Sequence, residues 1–386
     1  MLSSDLDKYG YYRVADLKFY SKLDASVAAA RLAQKIQWIY NDEVFAAVDW
    51  SQEPGLDLAN LYRIRAQQIR DTYDYVVLWY SGGADCDNIL NTFIDNDIKL
   101  DEAASVVNIE ADTDPNGYLN GEIYNVVKPK LAQARTKQPQ LRHSVIDLCR
   151  PTMDFFANRT NRFDWVHKVS QYVNPNYLAR SQVVRSNSHW MNLINAGKKV
   201  AFVWGIDKPK IVHLGHTWMC VFRDVLDAAA ITAQQIDPLD GQFDEMFYWS
   251  PDMPQLIVKQ AHVLKRFMES LTLDSPWLSS QYNDRNPSTV INGKIRWLTS
   301  DGIHLALYPK WHPRPFQVKP YSLIFSPRDQ WFFDLPDNDP SKVAWRNGLQ
   351  YFWQTMPDWA KKESQDLSSG LKIISSRPYY LSAPHA

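Results

Sequence analysis

The sequence predicts an α/β protein in which a parallel sheet is flanked by helices and is followed by a mixed, irregular C-terminal domain. Up to about residue 235, short apolar runs alternate with amphipathic helical segments, which is typical of βαβ units with right-handed crossovers. Residues 224–256 then hold seven acidic residues and no Lys or Arg, and Pro, Trp and short apolar runs dominate from Asn283 onward. We therefore expect a helical extension over 1–72, an α/β domain over 73–235 and the irregular domain over 236–386.

The spacing of apolar residues predicts the helices and strands in order. The predicted helices span residues 24–40, 56–72, 86–94, 120–136 and 254–271, and the stretch 151–197 is mainly helical. The predicted strands span residues 75–80, 104–109, 144–148, 199–205 and 211–214. The run at 75–80 is apolar throughout, which favours a strand that is buried on both faces of a parallel sheet.

Composition limits the class of protein. The 386 residues are 45% hydrophobic and 22% charged with a formal net charge of −1, so binding to nucleic acid or to an anionic membrane would need a local basic patch. Cys86, Cys149 and Cys220 lie far apart, which argues against a disulfide framework, a zinc finger and an iron–sulfur cluster. No stretch of 18 apolar residues and no signal-peptide pattern is present. We expect a cytoplasmic protein that has no membrane association, in the host cytoplasm if the protein is viral.

The motif SGGAD at residues 81–85 carries the clearest chemistry. It lies between the buried strand and a helix, where free backbone N–H groups and the helix dipole favour an anion. Gly82 and Gly83 let the backbone curl around a phosphate group, and Ser81 adds a hydroxyl donor. Next to a phosphate group, the Asp85 carboxylate needs a cation that neutralises the charges of both the carboxylate and the phosphate, which suggests Mg²⁺. The alternative is a structural glycine turn in which Asp85 caps the helix.

This loop has neither the GK[ST] ending of a Walker loop nor a GxGxxG pattern. It resembles the SGGxDS signature of the PP-loop ATP pyrophosphatases, the adenine nucleotide alpha-hydrolase-like superfamily, over roughly residues 70–215. The resemblance implies a HUP-like (PP-loop-like) fold, binding of ATP and Mg²⁺, and release of pyrophosphate. It implies that the nucleotide is bound by Ser81, Gly82, Gly83, Ala84, Asp85 and Cys86, with Asp85 holding the metal ion.

A second element is expected to contact the same nucleotide. GIDKP at residues 205–209 follows a predicted strand, and the superfamily often places a later loop with a glycine and an acid against the nucleotide. The resemblance adds Gly205 to the nucleotide-binding residues. It makes Asp207 and Lys208 catalytic beside Asp85, with Lys208 meeting a phosphate and Asp207 a metal ion or the acceptor. The alternative is a polar turn before the next strand.

Two further positions leave alternatives open. Cys86 stands where the signature has serine, and it is either a small buried residue or a thiol whose pKa is lowered by the helix N-terminus. His213 and His216 have an i, i+3 spacing that suits a metal ion, but the sequence offers no evident third ligand.

The absence of a cysteine cluster separates this chain from the sulfur-transferring members of the superfamily. The resemblance then implies adenylation followed by attack of nitrogen, which comes from a separate amine or ammonia. Seven basic residues and one acidic residue lie between residues 285 and 328, interleaved with aromatic residues that include Trp297, Tyr308 and Trp311. In such a pattern, the basic side chains can bind phosphates and the aromatic side chains can stack on nucleobases. A nucleotide or nucleic-acid acceptor would bind through Arg285, Lys294, Arg296, Lys310, Arg314 and Lys319. The alternative is that these charges are dispersed over the surface.

Together these patterns predict an ATP-dependent enzyme of the ligase or amidotransferase type. It would adenylate an acceptor, release pyrophosphate and activate the acceptor for amide- or amine-forming modification, as in the modification of a nucleotide or a tRNA. The alternative is a catalytically silent nucleotide-binding protein, or a structural or assembly protein such as a viral one, that keeps the PP-loop fold.

Overall fold

The structure is a computed structural model. It describes residues 6–114, 117, 119–159, 162–169, 173–206, 208, 210–224, 238–283, 286–312, 329–361 and 371–382. The strands are β1 (Tyr11–Val14), β2 (Leu17–Phe19), β3 (Ile36–Ile39), β4 (Tyr75–Trp79), β5 (Glu102–Val107), β6 (Arg142–Asp147), β7 (Val200–Trp204), β8 (Lys210–Leu214), β9 (Thr217–Val221), β10 (Gln242–Met246), β11 (Leu278–Ser279), β12 (Ser288–Ile291), β13 (Lys294–Leu298) and β14 (Tyr379–Tyr380). The helices are α1 (Lys22–Leu32), α2 (Asp42–Ala46), α3 (Leu58–Thr72), α4 (Ala84–Asp95), α5 (Lys128–Lys137), α6 (Cys149–Ala157), α7 (Pro175–Ser186), α8 (Ser188–Asn195), α9 (Pro254–Glu269), α10 (Ser300–Leu307), α11 (Gln330–Phe333) and α12 (Pro340–Thr355).

A five-stranded parallel sheet forms the centre of the fold, in the order β6-β5-β4-β7-β10. Its inner strands β5, β4 and β7 are largely buried, whereas the edge strand β6 is partly exposed. Val76 and Leu78 of β4 pack with residues of α3 and α4, whereas Val77 packs with Trp190 of α8 on the other face. The predicted α/β class, with a parallel sheet flanked by helices, is therefore confirmed.

The order of the parallel strands reverses direction between β4 and β7. In chain order the sheet runs 3-2-1-4-5, because the chain moves outward from β4 through β5 to β6 and then returns to place β7 on the other side of β4. The connections that leave β4 and β7 therefore diverge and open a crevice beyond the carboxyl ends of these two strands. Open α/β sheets bind their ligands at such a position.

Two smaller sheets accompany the parallel sheet. A mixed sheet has the order β11-β13-β12-β8-β9-β14, and an antiparallel sheet near the N-terminus has the order β2-β1-β3. The sheets draw strands from both sides of residue 235, since β10 joins the parallel sheet and β8 and β9 join the mixed sheet. The division into three regions stays a prediction. Within the described ranges, no helix combines the length and the apolar character needed to cross a membrane.

The predicted helix at 24–40 is wrong in its second half. Helix α1 ends at Leu32, Ala33 adopts a left-handed conformation with φ +50°, and β3 follows. In β3, Trp38 pairs with Tyr12 of β1, and both side chains are buried with their rings 4.9 Å apart. Apolar spacing alone could not decide between helix and strand here, because the pairing that buries Trp38 is not local.

A buried ion pair ties the N-terminal part of the chain to its C-terminal part. The Lys22 ammonium lies 2.7 Å from Asp224, and both side chains are fully buried. Lys22 also donates a hydrogen bond to the carbonyl of Lys372, while the Tyr12 hydroxyl and the Ile374 N–H donate to Asp224 at 3.0 and 3.1 Å. The charges are thus compensated inside the protein, as buried charges must be.

Replacing Lys22 by methionine should destabilise the protein by about 3–5 kcal/mol, because Asp224 would keep a buried charge that has lost its partner. Urea unfolding measures this change. The matched control is K18M, which removes the partly exposed Lys18–Asp7 pair and should cost no more than about 1 kcal/mol. If K22M and K18M lower the free energy of unfolding equally, the buried Lys22–Asp224 pair stabilises the protein no more than an exposed ion pair does.

Candidate functional site

The 81–85 loop joins β4 to α4 and depends on its glycines. Gly82 has φ +80°, a conformation that L side chains rarely adopt. A Cβ atom on Gly82 would also lie 3.1–3.3 Å from side-chain atoms of Val127, Val126 and Glu122. Gly83 is the N-cap residue of α4, and Asp85 lies in the first turn of that helix. The alternative in which Asp85 caps the helix is therefore wrong.

The buried Cys86 side chain forms hydrogen bonds with the backbone of the loop. Its sulfur accepts a hydrogen bond from the Ser81 N–H at 3.3 Å, and its thiol donates to the Gly83 carbonyl at 3.2 Å. The side chain is buried, whereas Ser81 remains exposed to solvent. These contacts favour the interpretation of Cys86 as a buried residue that supports the loop.

The segment after β7 reaches the start of α4. A Cβ atom on Gly205 would lie 3.1 Å from the Cys86 nitrogen and 3.2 Å from the Asp85 carbonyl carbon, so only glycine permits this approach of the two backbones. Lys208, three residues later, forms an ion pair with Asp85, and its side chain is only 8% exposed. The 81–85 loop and the segment that holds Gly205 and Lys208 are therefore in contact. Asp207 lies outside the described residues.

Three residues from the C-terminal half complete what we call the Asp85 cluster, which comprises Asp85, Lys208, Tyr248, His304 and Tyr308. The Tyr308 hydroxyl donates to the Asp85 carboxylate and lies 3.1 Å from the Lys208 nitrogen. His304 Nε2 lies 3.7 Å from the same carboxylate. The Tyr248 hydroxyl donates to the backbone carbonyl of Asp85 at 2.7 Å.

Sequence reasoning missed the roles of these three residues. Tyr248 and His304 carry no local signal, and Tyr308 was predicted only as one of the aromatic residues of the basic patch. Helix α10 brings His304 and Tyr308 to Asp85, because it packs against α9 and because the Tyr62 hydroxyl of α3 donates to the Leu307 carbonyl at its end. Tyr248 follows strand β10 of the parallel sheet.

The electrostatics of the cluster favour one partly buried anion beside one cation. Burial raises the pKa of Asp85, but the charge of Lys208 and the hydrogen bonds donated by Lys208 and Tyr308 outweigh it, so the net pKa lies below its ordinary value. Burial, followed by the charge of Asp85, raises the pKa of Tyr308 far above its ordinary value. Burial lowers the pKa of His304 to about 4. At neutral pH, His304 and Tyr308 are therefore uncharged.

Two buried donors or acceptors beside the cluster lack a partner. Within the part of the chain that the structure describes, His304 Nδ1 and Trp311 Nε1 are buried and make no hydrogen bond. The two rings lie 5.8 Å apart. Because buried polar atoms in native proteins are almost always paired, an ordered water or a ligand is needed to pair these two atoms.

The structure describes three of the six basic residues predicted to bind the acceptor, Lys294, Arg296 and Lys310. Lys294 and Arg296 alternate with Ile295 and Trp297 along β13, so the charged and the apolar side chains point to opposite faces of the strand. Lys310 forms an ion pair with Asp95 at 2.6 Å. Arg285, Arg314 and Lys319 lie outside the described residues.

The histidine pair has other partners. His213 stacks on Trp218 with the ring centres 4.3 Å apart, and its Nδ1 lies 3.0 Å from the Thr289 hydroxyl. His216 is exposed. Among the residues that the structure describes, no group of three or more His, Cys, Asp or Glu side chains is arranged to hold a metal ion.

The stability of the protein should fall as the pH drops from 6.5 towards 4. In this window the unfolded chain protonates His304, whose ordinary pKa is 6.5, while the folded chain holds the pKa of His304 at about 4 and leaves it neutral. H304Q should make this fall shallower, because unfolding of the variant takes up as much as one proton less in this window. Urea unfolding between pH 4 and 7.5 measures the slope. The exposed His216 provides the control, H216Q. An unchanged pH dependence in H304Q would contradict the burial of a neutral imidazole.

Comparison of the chain with protein-family models and with curated proteins finds no match. The function of the crevice must therefore be inferred from its geometry and from the residues of the 81–85 loop.

Proposed function

We propose that this protein binds ATP in the crevice between β4 and β7, adenylates an acceptor and releases pyrophosphate. The acceptor is thereby activated for amide- or amine-forming modification. One observation carries the proposal: the 81–85 loop and the segment that holds Gly205 and Lys208 meet where the strand order reverses, and Asp85 and Lys208 are in contact there. Nucleotides bind α/β sheets at this kind of position.

The shape and charge of the loop suit a phosphate chain. Helix α4 is 12 residues long, and the N–H groups of its first turn point out of the end of the helix. They lie directly beyond the N-cap residue Gly83, which has no side chain to compete for them. Lys208 brings an ammonium group to the same point. The SGGxDS-like motif favours ATP over other anions, by resemblance to the PP-loop enzymes.

A magnesium ion fits the donor set. The Asp85 side chain is 26% exposed, so one carboxylate is accessible from the crevice. Magnesium in nucleotide sites is usually bound by one or two carboxylates together with phosphate oxygens and water, so no larger protein cage is required. Asp85 would hold the ion, which when bound neutralises phosphate charge. Lys208 would then be released from Asp85 to meet a phosphate oxygen.

The residues of the cluster then have distinct tasks. In the proposed reaction an acceptor oxygen attacks the α-phosphorus, and the bond between the α-phosphorus and the pyrophosphate oxygen breaks. The Lys208 ammonium stabilises the charge that develops on the leaving pyrophosphate. Tyr308 stays protonated and holds Asp85 in place, and Tyr248 holds the backbone at Asp85.

A nucleobase-containing or nucleic-acid acceptor is part of the proposal. Its support is the excess of basic residues between 285 and 328, of which Lys294 and Lys310 are exposed among the described residues. Lys310 follows Tyr308 by two residues, so this charge lies close to the Asp85 cluster along the chain.

Incubation with ATP, Mg²⁺ and a panel of nucleotide and tRNA acceptors should yield AMP and pyrophosphate, as measured by chromatography. D85N and K208M should each lower the rate by about 100-fold or more, because each removes a charge that would face the phosphates. D358N, which changes a fully exposed carboxylate, is the control. Tight ATP binding without either product would favour the silent nucleotide-binding alternative.

G205A should weaken ATP binding by about tenfold or more, because a new Cβ atom would push the start of α4 away from β7. Titration with a fluorescent ATP analogue measures this change. G55A is the matched control, since nothing lies within 4 Å of the new Cβ atom there. Equal affinities in the two variants would mean that the phosphates do not bind at the start of α4.

A further inference from the structure

The two edges of the parallel sheet differ in how they are covered. At the β10 edge, the Asp244 carbonyl accepts hydrogen bonds from the Tyr9 hydroxyl and the Lys8 ammonium. The Met246 carbonyl of the same strand accepts a hydrogen bond from Arg65. At the other edge lies β6, and the described part of the chain places no strand beyond it. The outer side of β6 is therefore the side to which another strand can be added.

The backbone hydrogen bonds of β6 show which of its residues face outward. The N–H groups of Arg142 and Leu148 donate to carbonyl groups at the two ends of β5, at 3.0 and 2.9 Å. Because the direction of the backbone groups alternates along a strand, the even-numbered residues face β5. The N–H and C=O groups of His143, Val145 and Asp147 therefore point away from the sheet.

Strand β6 lacks the features that usually prevent pairing at an edge. It spans six residues that pair with β5 without interruption, and its sequence RHSVID contains neither proline nor lysine. Val145 near its centre is apolar and 39% exposed. Edge strands that remain unpaired are typically short, bulged or interrupted by lysine or proline. The composition of β6 therefore favours pairing with a further strand.

The charges at the ends of β6 indicate that this further strand is β6 of a second copy. Arg142 begins the strand, and Arg135 donates a hydrogen bond to the carbonyl of Leu141 directly before it. Asp147 ends the strand, and its carboxylate accepts a hydrogen bond from the N–H group of Glu110. When two copies pair in the antiparallel direction, the basic end of each copy lies beside the acidic end of the other.

Symmetry and hydrogen-bond direction select the register of such a pair. A two-fold axis perpendicular to the sheet requires that one residue of β6 lie opposite its own copy. If this residue is Val145, then His143 lies opposite Asp147 of the partner subunit, and the outward groups form about six N–H···O bonds. If the axis passes Ser144 instead, about four such bonds form. The register centred on Val145 is therefore favoured.

We propose that the protein forms a symmetric dimer in which the two β6 strands pair antiparallel about Val145. The five-stranded sheets of the two copies then join into one continuous sheet. The dimer does not depend on the proposed function, because β5 separates β6 from β4 and the crevice. Since one strand pair is a small interface, we expect a dissociation constant on the order of micromolar.

Sedimentation equilibrium of the full-length protein tests the dimer. The unmodified protein should convert from monomer to dimer as its concentration rises to about 200 µM. V145K and V145E should each raise the dissociation constant by about tenfold or more, because each places two like charges opposite each other. An equimolar mixture of the two variants should restore the dimer, since opposite charges then meet. The control is L214K, which changes another apolar residue that is 63% exposed. Thermal melting verifies that each variant folds.

Each outcome decides for or against the dimer. Restored association in the mixture supports the proposal, because only the register centred on Val145 brings this residue beside its own copy. A mixture that stays monomeric overturns it, as does an unmodified protein that stays monomeric at about 200 µM. If V145K associates like the unmodified protein, or if L214K prevents association, the copies meet through another surface and the proposal is wrong.

Discussion

The reversal of strand order between β4 and β7 is the constraint on which the candidate site depends. It places the connections after these two strands on either side of one crevice. Gly205 then permits the second connection to touch the backbone of the first. Asp85 and Lys208, which are 123 residues apart in sequence, become an ion pair only through this arrangement. A different strand order would leave each of them as an isolated charge on a surface loop.

Desolvation explains why the Asp85 cluster has so many polar members. A carboxylate in a largely buried crevice loses hydration, so it needs a cation and hydrogen-bond donors in return. Lys208 and Tyr308 supply them, and His304 remains neutral because the same desolvation opposes a second cation. The crevice is thus close to electrically neutral in the absence of a ligand. A phosphate chain would add negative charge, which is the physical reason why its binding calls for a metal ion.

The C-terminal half reaches this crevice because it shares a core with the N-terminal half. One cluster of buried apolar residues runs from Tyr9 to Leu381 and includes residues of β4, α4, α9 and α10. The buried Lys22–Asp224 pair adds a second tie between distant parts of the chain. Helix α10 packs into this shared core, which sets the position of Tyr308 relative to Asp85.

Local patterns in the sequence were sufficient for the central strands and for the first part of the site. The continuous apolar runs of β4 and β7 identify strands that are buried on both faces, and the glycines that follow them mark where a backbone must turn or come close to another. Burial of one or both faces of a strand determines which of a few consecutive residues are apolar. This pattern can therefore be recognised in the sequence before the tertiary structure is known. The position of the 81–85 loop between a strand and a helix was predictable for the same reason.

Only the tertiary structure decided which distant residues complete the site. Tyr248 and His304 lie more than 160 residues after Asp85 and carry no pattern that points to it. Pairing with β1 turned the predicted helix at 36–39 into a strand, and the alternation of β13 separated Lys294 and Arg296 from Trp297. These outcomes depend on which other elements each segment packs against. Those elements are far apart in sequence, and their packing outweighs the local propensity of the segment.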